Sequence, residues 1–171
     1  MEPSDSDILD TVEQAFKSCV RPEHFTNYKH CDECEEHDEL LRSRNPHTLS
    51  IQDVGNIGWD PICFVSPQGF AYYFPALARL ALAEPDKAGW YGSQLLFHLS
   101  CAGVQERISA CTPEQRNAVE GYLRHLFETR LPIVTMYMCD DALLQSLALW
   151  SAGVARQTSG GGGGGGGWPR G

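Results

Sequence analysis

The chain has 171 residues, of which 42% are hydrophobic and 20% charged, with a formal net charge of -9. That length suits one domain with its own core, and the composition is globular and not disordered. The acidic balance argues against a nucleic-acid partner, because gripping phosphates needs clustered Lys and Arg, and it is compatible with a basic protein partner.

Met1 is followed by Glu, Pro, Ser and Asp, which is not the basic and then apolar start of a signal peptide. The longest apolar run, around 70–82, is broken by Pro75 and Arg79 and is too short to span a bilayer. The seven cysteines form an odd set without framework spacing. They are read as reduced thiols, and the expected location is the cytoplasm.

In chain order, residues 4–19 predict an amphipathic helix. Ser4 or Ser6 can cap it, and Ile8, Val12, Ala15, Phe16 and Cys19 recur at helical spacing. Pro22 follows it, and 21–29 is a loop carrying His24, Phe25 and Tyr28. A second helix should begin inside the Cys/His string and run to about Arg42, with acidic residues at its start and Arg42 and Arg44 at its end. Residues 47–61 read as a short helical turn and an irregular loop, and 62–65 as a possible short strand.

Ser66-Pro67 then starts a helix that Pro75 should kink or restart, ending before Pro85. An apolar helix follows over 90–101. Thr112-Pro113-Glu114-Gln115 carries the clearest helix start, a threonine cap with Gln115 three residues on. That helix should reach Arg130 and bury Val119, Tyr122, Leu123, Leu126 and Phe127, with Pro132 separating it from 133–139. Asp140 or Asp141 should cap a last helix to about Val154. The expected fold is mainly α: a compact bundle of six or seven helices at mixed crossing angles, with at most one or two short strands, over residues 1–157. Residues 158–171 include eight consecutive glycines and are expected to form a disordered tail.

The string His30-Cys31-Asp32-Glu33-Cys34-Glu35-Glu36-His37-Asp38 is the chemical centre of the sequence. Thiolate and neutral imidazole are the ligands zinc prefers. In one continuous helix, residues 31 and 37 would stand about 9 Å apart along the axis, too far for one ion. Cys31 is therefore placed before the helix, with Cys34 and His37 on it. His24, from the preceding loop, is the favoured fourth ligand over His30, because neighbouring side chains tend to point apart. Asp38 and a water are weaker candidates.

Two other readings of the string compete. Cys31 and Cys34 could form a redox pair, but the four carboxylates at 32, 33, 35 and 36 oppose thiolate formation and no βαβ pattern accompanies them. Alternatively, the string is a polar surface helix with coincidental cysteines. Glu33 or Glu36 could act as a general base if the metal were catalytic. Elsewhere the ordinary explanation is preferred. The aromatic run 70–82 is core, His98 and His125 are satisfied buried histidines, and Asp53, Asp60, Asp140 and Asp141 could pair only through the fold. No nucleophile-elbow, P-loop or dinucleotide-binding signature occurs.

Arg21-Pro22-Glu23-His24-Phe25-Thr26, the Cys/His string and Phe70-Ala71-Tyr72-Tyr73-Phe74-Pro75-Ala76-Leu77 resemble a bacterial family of uncharacterised proteins, known as a domain of unknown function. Trp59-Asp60-Pro61 and Thr112–Gln115 fit the same pattern, over most of residues 8–130. The resemblance implies a helical fold without an established activity, and it places His24 inside a family stretch. The expected function is that of a non-enzymatic protein with a structural zinc and a protein-binding role, toxin immunity being one such role. A metal-dependent enzyme acting on a small substrate, or a thiol redox protein, is the alternative.

Overall fold

In the computed structural model, residues 1–101 and 103–158 are described, the last six of these by backbone alone. Eight α-helices run through them: α1 (Asp5–Phe16), α2 (Asp32–Arg42), α3 (Ile51–Val54), α4 (Pro67–Leu82), α5 (Tyr91–Ser100), α6 (Val104–Ala110), α7 (Pro113–Met136) and α8 (Asp140–Thr158). Two short 3₁₀ turns, Ile57–Trp59 and Pro61–Phe64, lie between α3 and α4. The only strand-like pairing among the described residues is a bridge between Asp86 and Gly89. No described helix is long and apolar enough to cross a membrane. The expected disordered tail lies almost wholly outside the described residues.

Helix starts follow the local chemistry. Ser4 and Asp7 form a reciprocal capping box at α1, and Thr112 and Gln115 form another at α7. Ser66 Oγ accepts the Gly69 amide at 3.1 Å, with Pro67 in the first helical position of α4. The core is one continuous cluster built on Phe70, Tyr73, Phe74 and Leu77 of α4, Leu95 and Leu99 of α5, and Tyr122, Leu123 and Leu126 of α7. Around it, α7 packs along α8 and α1, α4 along α1, α5 and α6, and α8 along α5. Trp150 of α8 is fully buried and donates to the Leu99 carbonyl at 3.1 Å.

Four local expectations are corrected. Residues 62–65 form no strand: Pro61–Phe64 is a 3₁₀ turn, because the Asp60 carboxylate accepts the Ile62 amide at 2.9 Å and the Asp60 carbonyl accepts the Cys63 amide at 3.2 Å. Pro132 does not separate α7 from the segment after it, since α7 runs through to Met136, and α4 continues through Pro75 to Leu82 without restarting. Each proline costs the helix about 3 kcal/mol, yet Phe74, Ala76 and Leu77 beside Pro75 and Val134 beyond Pro132 are fully buried, and that packing outweighs it. Phe127 is 42% exposed, because Tyr122, Leu123 and Leu126 take the inward face of α7. Finally, α6 adds a helix where none was expected, entered from Gly103 at a φ of 88°.

The chain from α1 to α2 is held as a structured strap. Arg21 donates to the Arg42 and Arg44 carbonyls, at 2.6 and 2.8 Å, so a cation caps the C-terminal end of α2. Phe25 is fully buried, and its carbonyl accepts the Ser66 amide at 2.8 Å.

Candidate metal centre

Asp38 organises the approach to the site from the second turn of α2. Its Oδ1 accepts the backbone amides of Phe25 (2.6 Å) and Thr26 (3.2 Å), and its Oδ2 lies 2.7 Å from His24 Nδ1. Thr26 Oγ1 donates to the Cys34 carbonyl at 2.6 Å. The strap is thereby fixed alongside α2. It then folds through a turn, in which the His30 amide donates to the Asn27 carbonyl at 2.9 Å, and enters the helix.

Cys31 is the N-cap of α2, with extended backbone (φ −165°, ψ 167°) and with its sulfur accepting the Cys34 amide at 3.5 Å. A thiol thus takes the place usually filled by a serine or aspartate oxygen. One turn on, Cys34 Sγ lies 3.3 Å from Cys31 Sγ and 3.8 Å from His30 Nδ1. Donor atoms of His30, Cys31 and Cys34 all lie within 4.8 Å of one another. Two thiolates bound to one tetrahedral zinc, each about 2.3 Å from it, stand about 3.8 Å apart, and a thiolate and an imidazole slightly closer. The three donors therefore fit such an ion in both chemistry and spacing. Cys34 is buried, whereas His30 and Cys31 face solvent.

Of the four ligands expected from the sequence, only two are among the three donors that converge. Cys31 and Cys34 come together, with Cys31 before the helix as expected, but His24 and His37 lie outside the cluster and His30 takes their place. His24 is bound to Asp38 and stacks on Tyr28, ring centres 3.8 Å apart. His37 is fully buried on the inward face of α2, against the rings of Phe64 (5.0 Å) and Trp59 (4.8 Å), with Nε2 3.4 Å from Glu33 Oε1. Asp38 is occupied by its three partners. The sequence argument against His30 rested on neighbouring side chains pointing apart. The extended backbone at Cys31 and the following helical turn bring both sulfurs to the His30 ring, Cys34 Sγ at 3.8 Å.

The two thiols differ in character. The amide of Cys34, followed by His30, lowers the Cys31 pKa below that of an ordinary thiol. Cys34 is pushed up by its hydrogen bond with Cys31, by burial and by the nearby Glu33 carboxylate. A cleft of about 460 Å³ between α1 and α4, bordered by Leu9, Glu13, Tyr72 and Arg79, includes none of the three donors.

The chain belongs to a family of unknown function (DUF6714), whose model matches residues 4–144. Comparison with curated proteins and with solved structures returns no match.

Proposed function

We propose that this member of a family without an assigned activity is a zinc-binding protein of the cytoplasm. In this reading its ion is held by His30, Cys31 and Cys34 and serves structure and recognition instead of catalysis. The observation that carries the reading is the convergence of one imidazole and two thiols at a helix start, with the sulfurs 3.3 Å apart. The ion would fasten the 27–31 turn to the first turn of α2 and offset the carboxylates that otherwise oppose thiolate formation there. Asp32, Glu35, Glu36 and Glu39 stand exposed beside it, so the same face suits a basic segment of a protein partner.

The test is zinc titration of chelator-stripped, reduced protein, with His30→Ala, Cys34→Ser, His24→Ala and His37→Ala in parallel. His30→Ala and Cys34→Ser should each lose the ion held at this cluster and bind one zinc fewer than wild type, while His24→Ala and His37→Ala should bind as wild type does. A folded wild-type chain that binds no zinc overturns the proposal. A second reading, a dithiol–disulfide couple, is favoured by the asymmetry between the exposed, lowered Cys31 and the buried, raised Cys34. It requires that mild oxidation join the two sulfurs reversibly in the metal-free chain.

A further inference from the structure

A second donor cluster lies on other elements of the fold. Asp60, Cys63 and His98 present a carboxylate oxygen, a thiol and an imidazole nitrogen that all lie within 4.8 Å of one another. Asp60 caps the 3₁₀ turn Pro61–Phe64 and Cys63 follows three residues later, the spacing at which side chains in a 3₁₀ turn come to lie one above the other. His98 reaches them from α5, its Nε2 2.7 Å from Asp60 Oδ2. Asp60 and His98 are buried, whereas Cys63 is exposed, so two ligands are preorganised inside and the third stands at the entrance.

The surroundings hold this trio rigidly. Gln94 donates to Asp60 Oδ2 at 3.2 Å and to the Val54 carbonyl at 3.0 Å. Arg107, buried over the Phe70 ring, donates to the His98 carbonyl at 2.6 Å and the Ile62 carbonyl at 3.3 Å. It thereby fixes the spacing between the two ligand-bearing segments, as the outer contacts of metal sites do. The Arg107 charge opposes a further cation, and the carboxylate of Asp60 with a thiolate at Cys63 outweighs it by one negative charge.

We infer that Asp60, Cys63 and His98 form a second site for a zinc-class divalent cation, separate from the His30 cluster. On binding, Cys63 gives up its thiol proton, and His98 offers Nε2 with its ring proton on Nδ1. The ion then replaces the direct His98–Asp60 contact. A mixed sulfur, nitrogen and oxygen set suits zinc and cobalt(II) better than magnesium or calcium, which take oxygen ligands.

The experiment is cobalt(II) titration of the full, reduced, chelator-stripped chain, followed by its sulfur-to-cobalt absorption and by counting bound ions. Wild type should bind two ions. Cys63→Ser, at an exposed position, should bind one ion and lose about a third of the sulfur-to-cobalt absorption, since it removes one of three thiolates. The double variant Cys31→Ser/Cys34→Ser should keep one ion and the remaining third. If the first site fails while this one holds, wild type binds a single ion that Cys63→Ser abolishes. The inference is overturned if Cys63→Ser binds cobalt as wild type does, or if the folded double variant binds none.

Discussion

Asp5, at the start of α1, and His125, midway along α7, are 120 residues apart in sequence, yet Asp5 Oδ1 lies 2.6 Å from His125 Nε2. Its other oxygen accepts Arg130 Nη2, also at 2.6 Å, and the same guanidinium nitrogen donates to the Leu82 carbonyl at 3.1 Å. One carboxylate thus ties α1 to α7 and, through Arg130, to the end of α4. Burial pushes the Asp5 carboxyl upward, but hydrogen bonds from Arg130 and His125 outweigh it and leave the group below its ordinary value. The folded state therefore favours the charged form. The stabilisation is present above the unfolded value of 3.8 and is lost as pH falls through the folded value. Asp5→Asn should cost about 1 kcal/mol at pH 7, the side chain being 44% exposed and screened accordingly. Urea denaturation of both proteins at pH 7 and pH 3 checks this, and the gap between them should narrow at the lower pH.

Two glycines should respond to alanine in opposite directions. At Gly92 an added Cβ would lie 2.1 Å from the Trp90 indole, which is buried and pinned by its 2.8 Å bond to the Ala81 carbonyl. Gly92→Ala should destabilise by about 3 kcal/mol, at the upper end for overpacking. At Gly121, within α7, an added Cβ meets nothing within 4 Å. Gly121→Ala should stabilise by about 0.5–1 kcal/mol by restricting the unfolded chain. Thermal melts of the two variants give the signs directly.

Asp38→Ala should cost about 2–4 kcal/mol, because it strands the buried Phe25 and Thr26 amides without an acceptor. The same change should weaken zinc binding at His30, Cys31 and Cys34 without touching a ligand, since the strap that presents His30 loses its anchor. His24→Ala removes only the partly exposed partner and should cost about 1 kcal/mol or less. Paired urea and zinc titrations separate the two effects.

Cysteine reactivity should follow position. In stripped protein, Cys31 should alkylate fastest, being exposed and lowered. Cys111 should be slowest, being buried and pushed up to about 12 mainly by burial. Mass spectrometry of peptides after brief iodoacetamide treatment checks the order, and added zinc should slow Cys31 while leaving Cys111 unchanged. Equal labelling of the two positions would contradict it.

Much of the helical plan was legible because helix starts are written locally: Ser4 with Asp7, Ser66 with Pro67, and Thr112 with Gln115 each act within four residues. Cys31 before a helix carrying Cys34 was legible for the same reason. What escaped depends on contacts distant in sequence. Pro75 and Pro132 stay helical because of what packs beside them, and Phe127 turns outward because neighbouring residues of α7 fill the interior. The identity of the histidine near the two thiols turned on one backbone conformation, at Cys31. The trio of Asp60, Cys63 and His98 joins residues 38 positions apart, and no short spacing announces it.

Asp38 grips the Phe25 and Thr26 amides from the second turn of α2, while Arg21 grips the far end of the same helix. Strap and helix are consequently a single mechanical unit: neither can be peeled from the rest while the other keeps its shape. Their amide hydrogens should trade with deuterium at a common rate, distinct from the slower rhythm of the central bundle. Whatever grasps the donors at the mouth of that unit would be felt along its whole length.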